Sequence, residues 1–366
     1  MYLRKLSSLI FIIISTIILI QSAYAQDIQI INVYSDLDSA DITIHSEKQY
    51  SDITIDAKLI IDGEVLRSKQ FFIAEIAPNS DITKILFWDL NIPPGGAYHT
   101  MMTLSMDGSV LETKYYNFSY GSPTIPRIYI KDIVPDSSGI SVILAPYITQ
   151  LGAEPIITDV EYMLLDGDTV IYRTTERRII VDQATSLSKD WNVRLENNRL
   201  YSARIKAKIS SPREAIIALS EDFTSMDDAR ITELFRDETG ASVNVMGMSQ
   251  VPYTGSIVFT VLKDGDIIEE IKEQSPILMV EDDETIEVSW KERLPPGIYE
   301  LNVKVIGNDG DVLDKWDTIL EAEKNIYAAE ETTTASSQTP GFNIYLSIFS
   351  LVILILLSKR IGRYNG

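Results

Sequence analysis

The chain has 366 residues, no cysteine and a formal net charge of −21. The lack of cysteine excludes disulfides, thiol catalysis and thiolate metal sites. The acidic balance argues against nucleic-acid binding, because phosphates attract Lys and Arg, and it suits a well-solvated surface. The length fits three units of about 100 residues each.

The N-terminus has the three parts of a secretory signal. Arg4 and Lys5 give a positive start, residues 9–20 form an apolar stretch, and Ala23 and Ala25 occupy the small-residue positions of an A-x-A cleavage site. We therefore predict a signal peptide over residues 1–25 and a mature chain beginning at Gln26. The alternative is an uncleaved membrane anchor, which the short apolar stretch disfavours.

The region between the two ends contains a repeat that occurs three times. In each copy an apolar run enters an Asp-Gly pair, a Trp follows about 26 residues later, and a Tyr about ten residues after that. The repeated residues are Asp62 and Gly63 with Trp88 and Tyr98; Asp166 and Gly167 with Trp191 and Tyr201; and Asp264 and Gly265 with Trp290 and Tyr299.

Each repeated feature predicts β-structure. An Asp-Gly pair between apolar runs is typical of a type I′ hairpin turn, which needs positive φ at both central residues. Apolar and polar residues alternate after each Tyr, as in a half-buried strand, and the same phase places each Trp in a core. Turn signals divide the first copy into seven strands, near residues 27–33, 41–46, 52–61, 64–72, 82–88, 97–106 and 109–118.

Seven short strands in about 100 residues predict an immunoglobulin-like antiparallel sandwich. The fold class is therefore all-β, with sandwiches over residues 26–120, 123–225 and 227–324. The Pro-Gly-x-Tyr approach to the sixth strand resembles the tyrosine corner of fibronectin type III and related domains, in which the Tyr hydroxyl returns to the upstream backbone. The chain lacks the Cys pair of antibody domains. Short linkers predict a semi-rigid arrangement.

The C-terminal segment reads as an anchor. Residues 325–339 form a Thr/Ser/Glu-rich stalk, residues 343–358 an apolar transmembrane helix, and residues 359–366 a basic tail that stays cytoplasmic. Between stalk and helix lie Pro340, Gly341 and Phe342. This order resembles the PGF-type sorting signal of archaeal surface proteins, which implies that an archaeosortase replaces the helix with a lipid. An ordinary transmembrane anchor is the alternative, and either tether leaves the ectodomain outside.

Few residues suggest ligand chemistry. Acidic clusters at two places make Asp227, Asp228, Asp282 and Asp283 candidates for a structural Ca²⁺, although none has the spacing of a defined calcium loop. Asn117 begins the N-x-S sequence that makes it a glycosylation candidate. The chain has two histidines and no catalytic motif, so we predict no catalytic residues, no bound cofactor and no enzymatic activity.

Taken together, the sequence predicts an exported, non-enzymatic protein of the archaeal envelope, anchored to the outer face of the membrane. Signal peptidase and archaeosortase are the expected processing enzymes, and surface-layer or other envelope proteins are the expected partners. The alternative from another class is a ligand-binding module for glycan or calcium. A carboxylate-pair hydrolase is a third hypothesis, but it needs two acids converging in a cleft.

Overall fold

The computed structural model describes residues 27–90, 93–121, 128–147, 155–211 and 213–323. Within these ranges the chain forms 21 β-strands, and all pairings between the strands are antiparallel. The prediction of an all-β fold is confirmed. Across the same ranges we find no helix of the length and hydropathy that a membrane span requires.

The strands fall into three groups of seven in chain order, which we call the first, second and third domains. The first has β1 (Ile28–Ser35), β2 (Ser39–Ser46), β3 (Tyr50–Ile61), β4 (Glu64–Ile76), β5 (Ser80–Phe87), β6 (Gly96–Met106) and β7 (Ser109–Tyr120). The second has β8 (Ile128–Pro135), β9 (Gly139–Pro146), β10 (Ile156–Asp166), β11 (Thr169–Val181), β12 (Thr185–Asp190), β13 (Leu200–Ser211) and β14 (Ala215–Thr224). The third has β15 (Ala229–Arg236), β16 (Gly240–Gly247), β17 (Ser256–Lys263), β18 (Asp266–Gln274), β19 (Asp283–Ser289), β20 (Gly297–Ile306) and β21 (Val312–Ala322).

All three domains share one strand order. The first, second and fifth strands form a three-stranded sheet, and the fourth, third, sixth and seventh form a four-stranded sheet in that order. The fourth strand thus lies beside the third, unlike the constant-type immunoglobulin order, which places it in the other sheet. The two sheets of each domain enclose a separate apolar core.

The repeated tryptophans lie in these cores. Trp88, Trp191 and Trp290 are all buried. The indole N–H of Trp191 donates to the backbone carbonyl of Asp136, and that of Trp290 to the carbonyl of Asp237. The indole of Trp88 instead donates to the hydroxyl of Ser35. In all three domains the backbone N–H of the Trp donates to a carbonyl in the turn between the first two strands, so each Trp fills a core and ties the end of the fifth strand to that turn.

The repeated tyrosines also contact upstream backbone. The hydroxyl of Tyr299 donates to the carbonyl of Pro295 at 2.8 Å, and that of Tyr98 donates to the carbonyl of Pro94. In the second domain, which lacks the prolines, the hydroxyl of Tyr201 instead accepts the amide N–H of Glu196. The corner contact is thus present three times, with its donor reversed in the second copy.

One predicted turn is different. Asp62-Gly63 and Asp264-Gly265 occupy the central positions of their hairpins with positive φ at both residues, as a type I′ turn requires. In the second domain Asp166 pairs with Thr169, so the central residues are Gly167 and Asp168, and only Gly167 has positive φ. The type I′ prediction for Asp166-Gly167 is therefore wrong. Glycine in the first central position suits a type II′ turn. The one-residue shift places Asp168 in the turn.

Candidate functional site

The first two domains share one continuous sheet. Edge strand β5 pairs with edge strand β11 through Lys84 and Thr169, which gives a seven-stranded sheet. The amide N–H of Ile85 donates to the carbonyl of Asp168 at 2.9 Å. Because Asp168 occupies the shifted turn, its side chain also receives the ammonium of Lys84 at 2.6 Å. An edge that would otherwise be open to foreign strands is closed within the chain.

Beyond this edge the two domains pack face to face. Met163 and Leu165 of β10 are fully buried although they point away from the core of the second domain, and they form a cluster with Ile85. Phe87 and Val170 are half-buried around the cluster. The outer surface of the first three-stranded sheet therefore covers the outer surface of the second four-stranded sheet.

Charged groups are buried in the same interface. Lys206 Nζ lies 2.5 Å from Asp41 Oδ2 and 3.1 Å from Glu161 Oε2. Arg204 donates to the hydroxyl of Ser39 across the interface at 2.7 Å. Among the described residues, three buried side-chain atoms lack a hydrogen-bond partner, and two of them, Asp41 Oδ1 and Arg204 Nε, lie here. Sequence alternation correctly pointed Arg204 and Lys206 out of their own core, but it could not show that another domain covers them.

The second and third domains are joined by backbone contacts. The N–H of Gln250 donates to the carbonyl of Ser137, its carbonyl accepts the N–H of Leu195, and its side-chain amide donates to the carbonyl of Trp191. Val251, although it belongs to the β16–β17 connection, is buried in the core of the second domain. The β16–β17 connection of the third domain thus inserts into the second domain through Gln250 and Val251, and we call these two residues the plug.

Of the calcium candidates, Asp227 and Asp228 lie at this junction. Asp227 is buried, and its Oδ2 accepts the backbone N–H of Asn308 at 2.9 Å. Burial raises the pKa of Asp228, and the nearby charges of Asp227, Asp314 and Asp136 raise it further, against a lowering by the N–H of Ala229. Asp227 therefore stabilises backbone at the junction.

The other two calcium candidates, Asp282 and Asp283, lie at the start of β19. Asp282 accepts the N–H of Met279 through Oδ2, and Asp283 is an exposed residue at the start of β19. In the described part of the chain, no group of three or more His, Cys, Asp or Glu side chains is close enough to hold a metal ion.

A repeated role for aspartate was missed in the sequence. Oδ1 of Asp36, Asp136 and Asp237 each accepts the backbone N–H groups two and three residues later, closing the turn between the first two strands of each domain. Hydrogen bonds from Thr239 lower the pKa of Asp237. The spacing Asp-x-x-Ser/Gly before the second strand is the signal that identifies these residues, and side-chain capping of turns explains it.

The glycosylation candidate lies on an open surface. Asn117 on β7 is exposed, and its Oδ1 lies 2.7 Å from Nδ1 of His99 on β6. Next to it, Tyr115 points outward and is 64% exposed, whereas Tyr116 contacts the buried ring of Tyr34 edge-on. A glycan on Asn117 would therefore project from the four-stranded face of the first domain.

In the third domain, no part of the described chain covers the surface that corresponds to the buried interface. Its four-stranded sheet presents a concavity of about 670 Å³ on the face that, in the second domain, holds the first domain. Leu262, Ile267 and Ile319 supply apolar surface, and the last two are each 62% exposed. Lys304 follows Tyr299 by five residues, as Lys206 follows Tyr201. We call this surface the third-domain face.

Several predicted sites lie outside the described residues. These are the cleavage positions Ala23 and Ala25 and the sorting motif Pro340, Gly341 and Phe342, together with the signal peptide, stalk, membrane helix and tail.

Comparison with known proteins gives no family, and solved structures align with this chain only at low similarity. The sequence matches no protein-family model and no curated protein. A solved tetra-tandem repeat from the extending region of a large adhesion protein aligns over 80% of this chain and 73% of its own, with 9% identity and a TM-score of 0.24. The native conformation of E. coli α2-macroglobulin aligns over 82% and 22%, with 12% identity and a TM-score of 0.22. Red sea bream transglutaminase aligns over 55% and 32%, with 10% identity and a TM-score of 0.26. The fold assignment rests on the strand order.

Proposed function

We propose that the chain is an exported structural or adhesive protein of the archaeal cell surface, without catalytic activity. Its anchored C-terminus would hold three joined sandwiches outside the membrane, where the third-domain face would bind another envelope protein. The observation that carries the proposal is the uncovered third-domain face, the equivalent of the face with which the second domain binds the first.

The composition of the third-domain face supports a protein ligand. Exposed Ile267 and Ile319 lie among charged groups of both signs, including Glu300, Lys304 and Lys315. Apolar side chains rimmed by charges are typical of interaction surfaces rather than of solvated sheet faces. Among the described residues Lys304 forms no direct ion pair, although its charge helps to lower the pKa of Asp317 on the same face. A carboxylate on the incoming surface would give the ammonium a direct partner.

A capture experiment tests the binding proposal. The full chain in detergent is immobilised and exposed to native envelope extract, next to the double variant Lys304→Glu/Ile319→Glu. The matched control is Arg230→Glu/Phe235→Glu, which makes the same kind of change on exposed residues of the other sheet of the third domain. We expect one dominant protein bound by the wild type and control, with at least a tenfold loss for the Lys304→Glu/Ile319→Glu variant. Equal capture by all three chains would rule out this face.

The anchoring proposal is tested separately in cells. If residues 340–342 are the sorting signal, deleting them should block processing, so that the protein keeps its C-terminal helix or is released into the medium. Retention of the same processed, membrane-bound form after the deletion would contradict the sorting-signal interpretation.

A further inference from the structure

The interface between the first two domains brings a lysine, an aspartate and a glutamate into one buried cluster. Lys206 on β13 and Glu161 on β10 are directly paired across their strands, and Asp41 reaches them from β2 of the first domain, 165 residues away from the lysine. The side chains of Asp41, Lys206 and Glu161 are 1%, 9% and 11% exposed. The lysine amine also lies 5.4 Å from the centre of the Tyr34 ring. Water has little access to the group.

The cluster is poorly satisfied as a simple ion pair. Asp41 Oδ1 is buried and accepts no hydrogen bond, although a carboxylate has two oxygens that need partners. Burying a charged pair costs free energy unless its remaining lone pairs are satisfied. Converting the pair to a neutral amide would remove both charges and one of the two carboxylate oxygens.

We propose that Lys206 and Asp41 become joined by an intramolecular isopeptide bond in a single self-modification of the chain, with Glu161 as the residue that moves the proton. Glu161 Oε2 accepts a proton from the ammonium, and the free amine attacks Cγ of Asp41. After the attack the nitrogen still carries two protons, and it passes one of them to the departing oxygen of Asp41. The proton held by Glu161 moves to the same oxygen, which then leaves as water. The bond formed is Nζ–Cγ and the bond broken is Cγ–O, so an ammonium and a carboxylate give an amide and one water, and Glu161 is regenerated.

The position of Glu161 favours this role. Its other carboxylate oxygen, Oε1, is held by Arg173, so Oε2 stays directed at the lysine. The burial around Asp41 and Lys206 excludes the water that would otherwise compete with proton transfer and solvate the pair. Geometry that holds reacting groups together in a dry site is a general means of accelerating such a step.

Comparison within the chain separates this cluster from ordinary ion pairs. Lys84 and Asp168 join the same two domains at 2.6 Å, but the aspartate is 43% exposed and no glutamate pairs with that lysine among the described residues. In the third domain the residue paired with Lys304 is Val258, so the counterpart lysine has no glutamate beside it. A covalent link would tie the first domain to the second in a chain that has no cysteine for a disulfide.

Peptide mass mapping of the full chain tests the proposal. After complete denaturation and tryptic digestion, the wild type should give a branched peptide that joins the fragment ending at Lys48 to residues 205–208, because trypsin does not cut at an acylated Lys206. Its mass should equal the sum of the two fragments less one water. Glu161→Gln and Lys206→Met should lose this species, whereas the matched control Lys84→Met should keep it. The variant Asp41→Asn offers a further check, since the same attack would release ammonia instead of water.

The wild-type result decides the matter without reference to how well any variant folds. Separate, unmodified fragments from folded wild-type protein would overturn the proposal and leave a buried ion pair. Full linkage in Glu161→Gln would retain the bond but overturn the role of the glutamate. If the branched peptide is lost from Lys84→Met as well as from Lys206→Met, the bond would depend on the whole contact between the two domains, and the specific role of this cluster would be overturned.

Discussion

Lys84 on β5 and Asp168 at the tip of the β10–β11 hairpin form an ion pair of 2.6 Å across the boundary between the first two domains. The pair exists because the hairpin turn is shifted by one residue relative to its counterparts, which places Asp168 rather than a glycine beside β5. A small change of turn in one repeat thus converts a free sheet edge into a domain junction.

Removing this pair should weaken the junction. In Lys84→Met the apolar stem is retained, but the contacts of the ammonium with Asp168 and with the hydroxyl of Thr169 are lost. We expect a loss of about 1–2 kcal/mol, between the values for exposed and buried pairs, because the lysine is buried and the aspartate half-exposed. Denaturant unfolding measures it. The control Lys48→Met breaks an exposed pair with Asp27 and should cost clearly less than Lys84→Met. Equal costs would contradict this explanation.

The plug between the second and third domains gives another prediction. Val251→Ala should destabilise the second domain, whose core the side chain enters, by roughly 2 kcal/mol for the lost methyl groups and the cavity left behind. Hydrogen exchange at the backbone amides of Tyr162 and Ile205, which lie in the same core, provides a local readout of unfolding. Val134→Ala is the control, since Val134 is 56% exposed. A similar effect of both variants would mean that the plug does not couple the domains.

The raised pKa of Asp228 predicts that this residue affects the stability of the fold in a pH-dependent way. Burial and neighbouring acids raise its pKa in the folded protein, so the ionised form destabilises the fold at pH values above that raised pKa. Asp228→Asn should therefore raise the melting temperature slightly at pH 7. The gain should vanish below the ordinary aspartate pKa of about 3.9, where the wild type is protonated in both states. A lower melting temperature at pH 7, with a loss of stabilisation by added Ca²⁺, would instead mean that the carboxylate binds the ion.

Glycosylation of Asn117 is a prediction for the native protein. Ser119→Ala removes the sequon but leaves the contact between Asn117 and His99. We expect the peptide containing Asn117 to lose the mass of the glycan. The free energy of unfolding should change by less than about 0.5 kcal/mol, because Ser119 is exposed. An identical mass for the wild-type and variant peptides, apart from the substituted oxygen, would show that the site is unoccupied.

Much of the fold follows from local patterns in the sequence. In the first domain each of the seven predicted strands is present, with ends that differ by at most four residues. Period-2 alternation predicted buried Trp88, Trp191 and Trp290, because a strand has only two faces and the apolar one must be covered. The type I′ turn was predicted correctly wherever no other domain contacts the hairpin.

The failures concern contacts between domains. Alternation gives the direction of Arg204 and Lys206 but not what lies opposite them, since a charged outer face looks the same whether water or another sheet covers it. The shifted turn at Gly167 was missed for a similar reason, because Asp-Gly-Asp can form either of two adjacent turns and the local pattern does not select between them. Local pattern also did not reveal that Asp36 and Asp227 accept backbone N–H groups.

The central claim is that the first two domains form one body through their shared sheet. Hydrogen exchange at the amide of Ile85, which donates to the carbonyl of Asp168, tests it most directly in the full chain. We predict that this amide exchanges as slowly as the core amides of β10, because releasing it requires separating the buried faces of both domains. Rapid exchange of Ile85 while β10 stays protected would show that the first domain moves independently, and would contradict the account.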